Sequence, residues 1–422
     1  MHADFHPSQR AEWAQGQPIS RLMARALEDP ELISLAAGFV DNQTLPVEPV
    51  RQAMDGLCSD VRAARAALQY GTTAGYPPLR EWIRERSQQR DGPEHTVPLE
   101  RVVITAGSNQ LLHLVTESLV DPGDVVLCAA PTYFVYLAML SGLGVRAVGV
   151  ASDAEGMIPE ALEEQFERLR AEGQLPRVKA IYLVPYFDNP AGVTMPPERR
   201  AAVVELAKRW SRFTRIHVIA DEAYRELRYQ GQDVPGTQTC DAEGDTVVVA
   251  GTFSKSFSPG IRVGWGMLPA DLVGPVNDQK GNVDFGSPNF NQHLMAKVLE
   301  LGLFEPHLTA LRAGYREKLA TILSAAEEHL SCLEGVRWLR PTGGLYVWVC
   351  LPPGTATGSD GPLFARAIRE GVLYVPGEYC FPGQSRETGQ TTLRLSFGVQ
   401  SCEQIARGVE KLSRAIRDVI GG

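Results

Sequence analysis

The sequence is poor in every feature that would tie it to a polyanion, a membrane or an oxidising compartment. Its 422 residues carry 41 Lys and Arg against 50 Asp and Glu, a formal net charge of -9. There is no basic surplus to attract nucleic acid or anionic lipid, so neither is expected as a partner. Seven cysteines, at 58, 128, 240, 332, 350, 380 and 402, are odd in number, scattered and never spaced as CxxC. That pattern argues against a disulfide framework or a zinc cluster and points to reduced thiols in a cytoplasm. The eight histidines, His113 and His217 among them, make no HExxH or other close ligand spacing, so no metal is expected. Long apolar runs are scarce as well. The uncharged stretch 125–145 has the length of a bilayer span, but Pro131, Thr132, Ser141 and Gly142 inside it fit a strand, a loop and a helix instead. The N-terminus MHADFHPSQR lacks the basic and apolar regions of a signal peptide. Without secretion, the sequon Asn42-Gln43-Thr44 carries no meaning. No internal repeat or low-complexity tract is found.

What the chain does have is a core and a rhythm. With 44% hydrophobic and 22% charged residues it can bury a large interior, and its length suggests two or three lobes. Short β-branched runs at 102–105, 125–129, 145–150, 178–184, 216–220, 247–250 and 263–267 read as strands. Helical patterns lie between most of them, such as Leu111, Leu112, Val115 and Leu119, or Ala202, Val203, Leu206 and Ala207. This alternation predicts an α/β fold with a mostly parallel seven-stranded sheet covered by helices on both faces. After about Asn289 the pattern shifts to long helices, strands at 345–349 and 392–396 and a final helix over 403–420, which reads as a smaller α+β domain. The expected division is an N-terminal arm and helix over 1–45, belonging to the small domain, a large domain over 46–300 and a C-terminal small domain over 301–422. A short helix in the arm is expected to stop at Asp29-Pro30.

The segment from Gly251 to Arg262, GTFSKSFSPGIR, places Lys255 among small hydroxyl residues just after a strand. A lysine that forms a Schiff base must be deprotonated, and desolvation beside a cation such as Arg262 favours the neutral amine. Thr252, Ser254 and Arg262 are a fitting set for a phosphate. By itself the segment reads equally as a polar loop with a solvated lysine. Asp221, in Ile219-Ala220-Asp221-Glu222-Ala223-Tyr224, closes another strand, where ligands of open α/β sheets gather. A carboxylate there can hold a pyridine nitrogen protonated; alone it reads as a helix cap or surface acid. Asn189-Pro190-Ala191-Gly192 is turn punctuation on its own, and its amide is also placed to donate to a ligand oxygen. Ala106-Gly107-Ser108-Asn109-Gln110 lies between a strand and a helix, where free N–H groups attract phosphate. Gly142-Leu143-Gly144 mimics a dinucleotide fingerprint but precedes a strand, so NAD is discounted.

The order of these pieces, GSNQ, PTYF, DNPAG, DEAY, the Lys255 segment and Arg394, resembles the fold-type I enzymes that use pyridoxal 5'-phosphate (PLP). Within them the chain is similar to the class I/II aminotransferases, in the branch of 2-aminoadipate and broad-specificity enzymes, over roughly residues 20–415. The resemblance implies Lys255 as the Schiff-base lysine and proton-moving base, Asp221 at the pyridine nitrogen, and Asn189 and Tyr224 at the phenolic oxygen. It assigns Ser108, Asn109, Thr252, Ser254 and Arg262 to the phosphate, with Tyr133 stacked on the ring and Ala223 beneath it. Arg394 becomes the clamp for the substrate carboxylate, a bidentate task suited to guanidinium; otherwise an arginine on a strand reads as solvated. The Gly38 backbone is implied to face the substrate, and Arg21 falls where some relatives hold a distal carboxylate, though a surface helix residue fits as well. Tyr70, in Gln69-Tyr70-Gly71, matches a tyrosine that reaches the neighbouring subunit's phosphate, implying a homodimer with shared sites. Cis bonds are implied at Ala130-Pro131 and Asn189-Pro190.

The implied activity is transfer of an amino group from an L-amino acid to a 2-oxo acid, with 2-oxoglutarate as acceptor, in two half-reactions. The stretch 36–41, AAGFVD, departs from the glycine- and proline-rich wall of the branch. That departure keeps a PLP-dependent lyase, cyclase or oxidase open as an alternative. A PLP-binding regulatory domain is the third reading, disfavoured because only about forty residues, with no basic helix-turn-helix, precede Gly38.

Overall fold

The computed structural model describes residues 5–15, 29 and 31–420. The expected helix ahead of Asp29-Pro30, and Arg21 within it, lie outside the described residues.

The strands, numbered along the chain, are β1 (Ile33–Ser34), β2 (Val102–Thr105), β3 (Val125–Ala130), β4 (Arg146–Asp153), β5 (Gly156–Met157), β6 (Val178–Leu183), β7 (His217–Asp221), β8 (Val247–Thr252) and β9 (Gly264–Met267). They are followed by β10 (Arg337–Trp338), β11 (Tyr346–Cys350), β12 (Val372–Leu373), β13 (Val375–Pro376) and β14 (Thr392–Ser396). The large sheet has the order β2-β9-β8-β7-β6-β3-β4-β5. Its centre is parallel from β4 through β3, β6 and β7 to β8, while β9 runs against both of its neighbours. Seven of these strands match the expected runs to within a few residues. The eighth, β5, is a two-residue arm folded back on β4, and it draws β4 out to Asp153.

Central strands of a parallel sheet are covered on both faces and must be apolar throughout. Accordingly β3, β6, β7 and β8 are buried along nearly their whole length, whereas β4 alternates near the edge. The charge-free stretch 125–145 resolves into β3, a turn through the cis Ala130-Pro131 bond, and the helix Phe134–Gly142. No helix among the described residues is long and apolar enough to cross a membrane.

A second, four-stranded antiparallel sheet, ordered β10-β11-β14-β13, carries Arg394 on β14 opposite Trp348 of β11. The strongly amphipathic helix Cys402–Ile420 packs its apolar face, including Ile405, Val409, Leu412 and Ile416, against the 27-residue helix Phe304–Leu330. The N-terminal β1 pairs in parallel with β12, and this contact brings residues 36–41 across the C-terminal edge of the large sheet.

Candidate active site

Parallel strands point their C-terminal ends to one side, and loops leaving those ends converge. Here a cavity of about 330 Å³ opens at the ends of β3, β6, β7 and β8. Its lining includes Lys255, Asp221, Tyr224, Asn189, Arg262 and Arg394, together with Ser108, Asn109, Tyr133, Thr252, Ser254, Ala223 and Gly38. Two expected residues stand apart. Arg21 is outside the described residues, and Tyr70 is 80% exposed, lying edge-on to Phe285 and away from the cavity of its own chain.

At one end of the cavity lies Asp221, the last residue of β7. It is buried and accepts hydrogen bonds from the Tyr182 hydroxyl (3.1 Å) and the Ala223 backbone N–H (3.2 Å). No ion pair joins it among the described residues, and burial pushes its carboxyl up to about 6 despite those two donors. Sequence reasoning missed Tyr182, which lies on the neighbouring β6. Its ring stacks on Tyr136 at 3.9 Å, and burial holds its hydroxyl protonated, hence a donor to Asp221. The signal available was a polar-tipped aromatic among the apolar residues Ala180, Ile181 and Leu183 of a central strand.

The opposite end is rich in donors. The helix Ser108–Leu119 begins after Gly107 with no side-chain cap, leaving its first N–H groups free. Gly107 has φ +86°, and a Cβ there would overlap the Arg262 guanidinium, so only glycine fits. Arg262 itself is left-handed (φ +49°), a conformation that costs a non-glycine residue about 1 kcal/mol. It is held by the carbonyls of Ala106 (2.9 Å) and Pro259 (3.0 Å), with Ser254 Oγ at 3.5 Å. Thr252 Oγ1 donates to Ser254 Oγ (2.9 Å) and accepts from the Ser254 N–H (3.1 Å).

Between the two ends, Lys255 Nζ donates to the Gly38 carbonyl (2.8 Å). On one flank the Asn189 amide, just ahead of the cis Asn189-Pro190 bond, donates from Nδ2 to Tyr224 (3.4 Å). Arg394 is 1% exposed, against the solvated reading open to it from sequence, and donates to Asn189 Oδ1 (2.8 Å) and the Ala36 carbonyl (2.6 Å). Its Nε has no partner, and its guanidinium lies over the rings of Tyr346 (4.3 Å) and Phe134 (5.3 Å). Tyr346, also missed from sequence, bonds its hydroxyl to that of Tyr224 at 3.1 Å.

These groups form a graded set: cation, hydroxyls and helix N–H groups at one end, a primary amine in the middle, and an uncompensated carboxyl at the other end. That donor set fits PLP, which presents a dianionic phosphate, an aldehyde and a basic ring nitrogen in the same order. The orphaned Arg394 Nε adds a place for a further anion, such as a substrate carboxylate.

Comparison with known proteins gives the same answer. The family described as Aminotransferase class I and II matches residues 30–412. The chain is 34% identical over 416 residues to Aromatic-amino-acid aminotransferase 1 of Thermococcus litoralis, covering 97% of this chain and 94% of the relative. It is 33% identical over 402 residues to 2-aminoadipate transaminase of Thermus thermophilus, covering 95% and 94%. A kynurenine aminotransferase of Pyrococcus horikoshii, solved with PMP, superposes with a TM-score of 0.89 at 33% identity, covering 98% of this chain and 97% of that one.

Proposed function

The chain belongs to the class I and II aminotransferases, as a fold-type I, PLP-dependent enzyme of the broad-specificity branch that moves amino groups between amino acids and 2-oxo acids, and from that premise we propose the following division of labour among its residues. Lys255 is the Schiff-base lysine and the base that carries a proton to and from the substrate α-carbon. Bound PLP supplies the electron sink that stabilises negative charge at that carbon. Asp221, whose carboxyl has no cation of its own, keeps the ring nitrogen protonated. Asn189 and Tyr224 donate to the phenolic oxygen. The N-terminus of the helix Ser108–Leu119, with Ser108, Asn109, Thr252, Ser254 and Arg262, holds the phosphate, and Tyr133 and Ala223 confine the ring between them. Arg394 takes the substrate carboxylate through the orphaned Nε, which fixes the orientation of the α-carbon bonds. The Gly38 carbonyl holds the Lys255 amine next to the substrate path.

The observation that carries this reading is the convergence on one cavity of a primary amine, an unpaired buried carboxyl and a strained arginine, from the end of β7 and the loop that leaves β8. The donor is an amino acid with an apolar or aromatic side chain, because Phe39, Phe134, Val135 and Tyr346 line the same cavity as Arg394. The acceptor is 2-oxoglutarate. Tyr70 acts in a homodimer, reaching the phosphate end of the neighbouring protomer's cavity. Its exposure, with that of Phe285 (65%), on which its ring rests edge-on, and of the nearby Leu68 (75%), offers apolar surface for that contact. The large sheet lies within the span 46–300 and the small sheet within 301–422, while the β1–β12 pairing joins the arm 1–45 to the latter. Seven unpaired cysteines suit a cytoplasmic setting.

The test is an absorbance scan of the PLP-loaded protein during stepwise addition of amino acids with no acceptor. Phenylalanine, tyrosine or leucine should convert the visible band to a near-ultraviolet one, and 2-oxoglutarate should restore it. Lasting visible absorbance with release of ammonia would reject transamination. For the dimer, mixing inactive Lys255→Ala with inactive Tyr70→Phe should restore activity through one mended site; no recovery in mixed dimers would reject shared sites.

A further inference from the structure

Tyr346 has a hydroxyl that none of the roles above requires. The residue opens β11, is 1% exposed, and lies with its ring beneath the Arg394 guanidinium at 4.3 Å. A phenylalanine ring would stack there equally well, yet a buried hydroxyl must find a partner or lose its hydration uncompensated. This one lies 3.1 Å from the Tyr224 hydroxyl, with the two rings edge to face at 78°. It also crowds Gly38, where a Cβ would approach the same oxygen to 2.7 Å. One oxygen therefore touches both Tyr224 and the residue whose carbonyl receives the Lys255 amine.

The proton order in this group follows from Arg394. Its Nη1 occupies Asn189 Oδ1 at 2.8 Å, which fixes the amide so that Nδ2 faces Tyr224. The Tyr224 oxygen accepts from Asn189 and has a single proton to give. If that proton went to Tyr346, none would remain for the phenolic oxygen of PLP. Resting on the role given above to Tyr224, we propose that Tyr346 is the donor in the shared bond and a positioning residue, whose hydroxyl sets the pH at which PLP bound at Lys255 gives up the proton shared with its phenolic oxygen. Once that proton leaves, the negative charge on the phenolic oxygen rests on Tyr224, and a Tyr224 hydroxyl that is itself a hydrogen-bond acceptor is the stronger donor. Burial, with Tyr346 beside it, pushes Tyr224 well up, so Tyr224 keeps its proton across the working range. The other titratable or charged groups facing the pair are Tyr133, Asp221, Lys255 and Arg394, with Tyr315 behind Tyr346. None of them occupies the position between Gly38 and Tyr224.

The test is the visible absorbance of the PLP-loaded protein as a function of pH. Tyr346→Phe should raise the midpoint by roughly half to one pH unit, the size of one hydrogen bond. Gly38→Ala, which puts a methyl against the same oxygen, should move it in the same direction. Tyr224→Phe should raise it further, and adding Tyr346→Phe to that background should change nothing more. An unmoved midpoint in Tyr346→Phe, or a full shift persisting without the Tyr224 hydroxyl, would overturn the inference. Absence of any visible band in the unmodified protein would instead reject the reading of Lys255 on which it rests.

Discussion

The floor of the cavity and the wall that faces the substrate are built by different means. The floor is local: Asp221, Thr252, Ser254, Lys255 and Arg262 come from the ends and exits of β7 and β8, and their side chains are braced by nearby strands and by one another. The wall is assembled from afar. Arg394 reaches the Ala36 carbonyl across 358 residues, and Lys255 reaches that of Gly38 across 217. Both of those donors are thus received by neutral backbone carbonyls of residues 36–41, a segment anchored at its far end by the buried Lys318–Asp41 ion pair at 2.6 Å. A carbonyl can be exchanged for a substrate carboxylate with net gain, because a charged acceptor outbids a neutral one for guanidinium. The floor is shaped for a resident group, the wall for one that comes and goes.

The sharpest way to break this contrast is to remove Lys255, where the two regions meet. Lys255→Ala should lower turnover by at least about 10⁴-fold and abolish the visible band, with the melting temperature unchanged, since a covalent and proton-transfer role is lost without a packing role. Turnover surviving in this variant would end the mechanism. Next in size is Arg394→Ala. It should reduce kcat/KM for amino and oxo acids alike by on the order of 10²–10³-fold, the consequence of leaving a substrate carboxylate unpaired in a dry site. The visible band should persist. Loss of the band would make Arg394 part of the floor and erase the distinction. Smaller again in its effect on turnover, Lys318→Met strands Asp41 and should lower stability by about 3 kcal/mol in urea denaturation. Loosening one end of the wall should raise KM several-fold at constant kcat, and a fall in kcat with KM unchanged would place the anchor on the wrong side.

The same contrast explains what was legible in the sequence. Floor residues sit in contiguous segments at strand ends, so the strand pattern located them and their chemistry named them. The cavity collects every expected site residue that the structure describes except Tyr70, which lies on the surface where only a second chain could employ it. Wall residues depend on register between distant strands. Tyr346 faces the site only because β11 pairs with β14 so that Trp348 stands opposite Arg394, leaving Tyr346 one pleat away on the same face. Likewise Tyr182 supports Asp221 only because β6 and β7 are neighbours, pairing Tyr182 with Ile219. Neither pairing leaves a local mark in the chain. The two-residue β5 was too short to show a period, though Gly156 at φ +90° allows its turn.

The smallest predicted effect tests whether the floor is complete without its resident. Burial raises the Asp221 carboxyl from 3.8 to about 6 in the protein alone, with the bonds from Tyr182 and the Ala223 N–H offsetting only part of that cost. An unfolded chain releases this proton near pH 4, so between there and pH 6 the folded state binds a proton that the unfolded state has lost. The contribution of Asp221 to folding therefore weakens as pH rises through that window and levels off above it. Between pH 5 and 7 the change is about 1–2 kcal/mol. Asp221→Asn does not titrate, so in cofactor-free protein its unfolding free energy relative to the original should rise by that amount over the interval, as read by urea denaturation at the two pH values. A flat difference would mean that the carboxylate is already satisfied and that the floor needs no cation. With PLP bound, the protonated ring nitrogen supplies the missing partner, and the sign should reverse: the original protein should then gain stability over Asp221→Asn at pH 7, the pH at which its empty site carries the largest penalty.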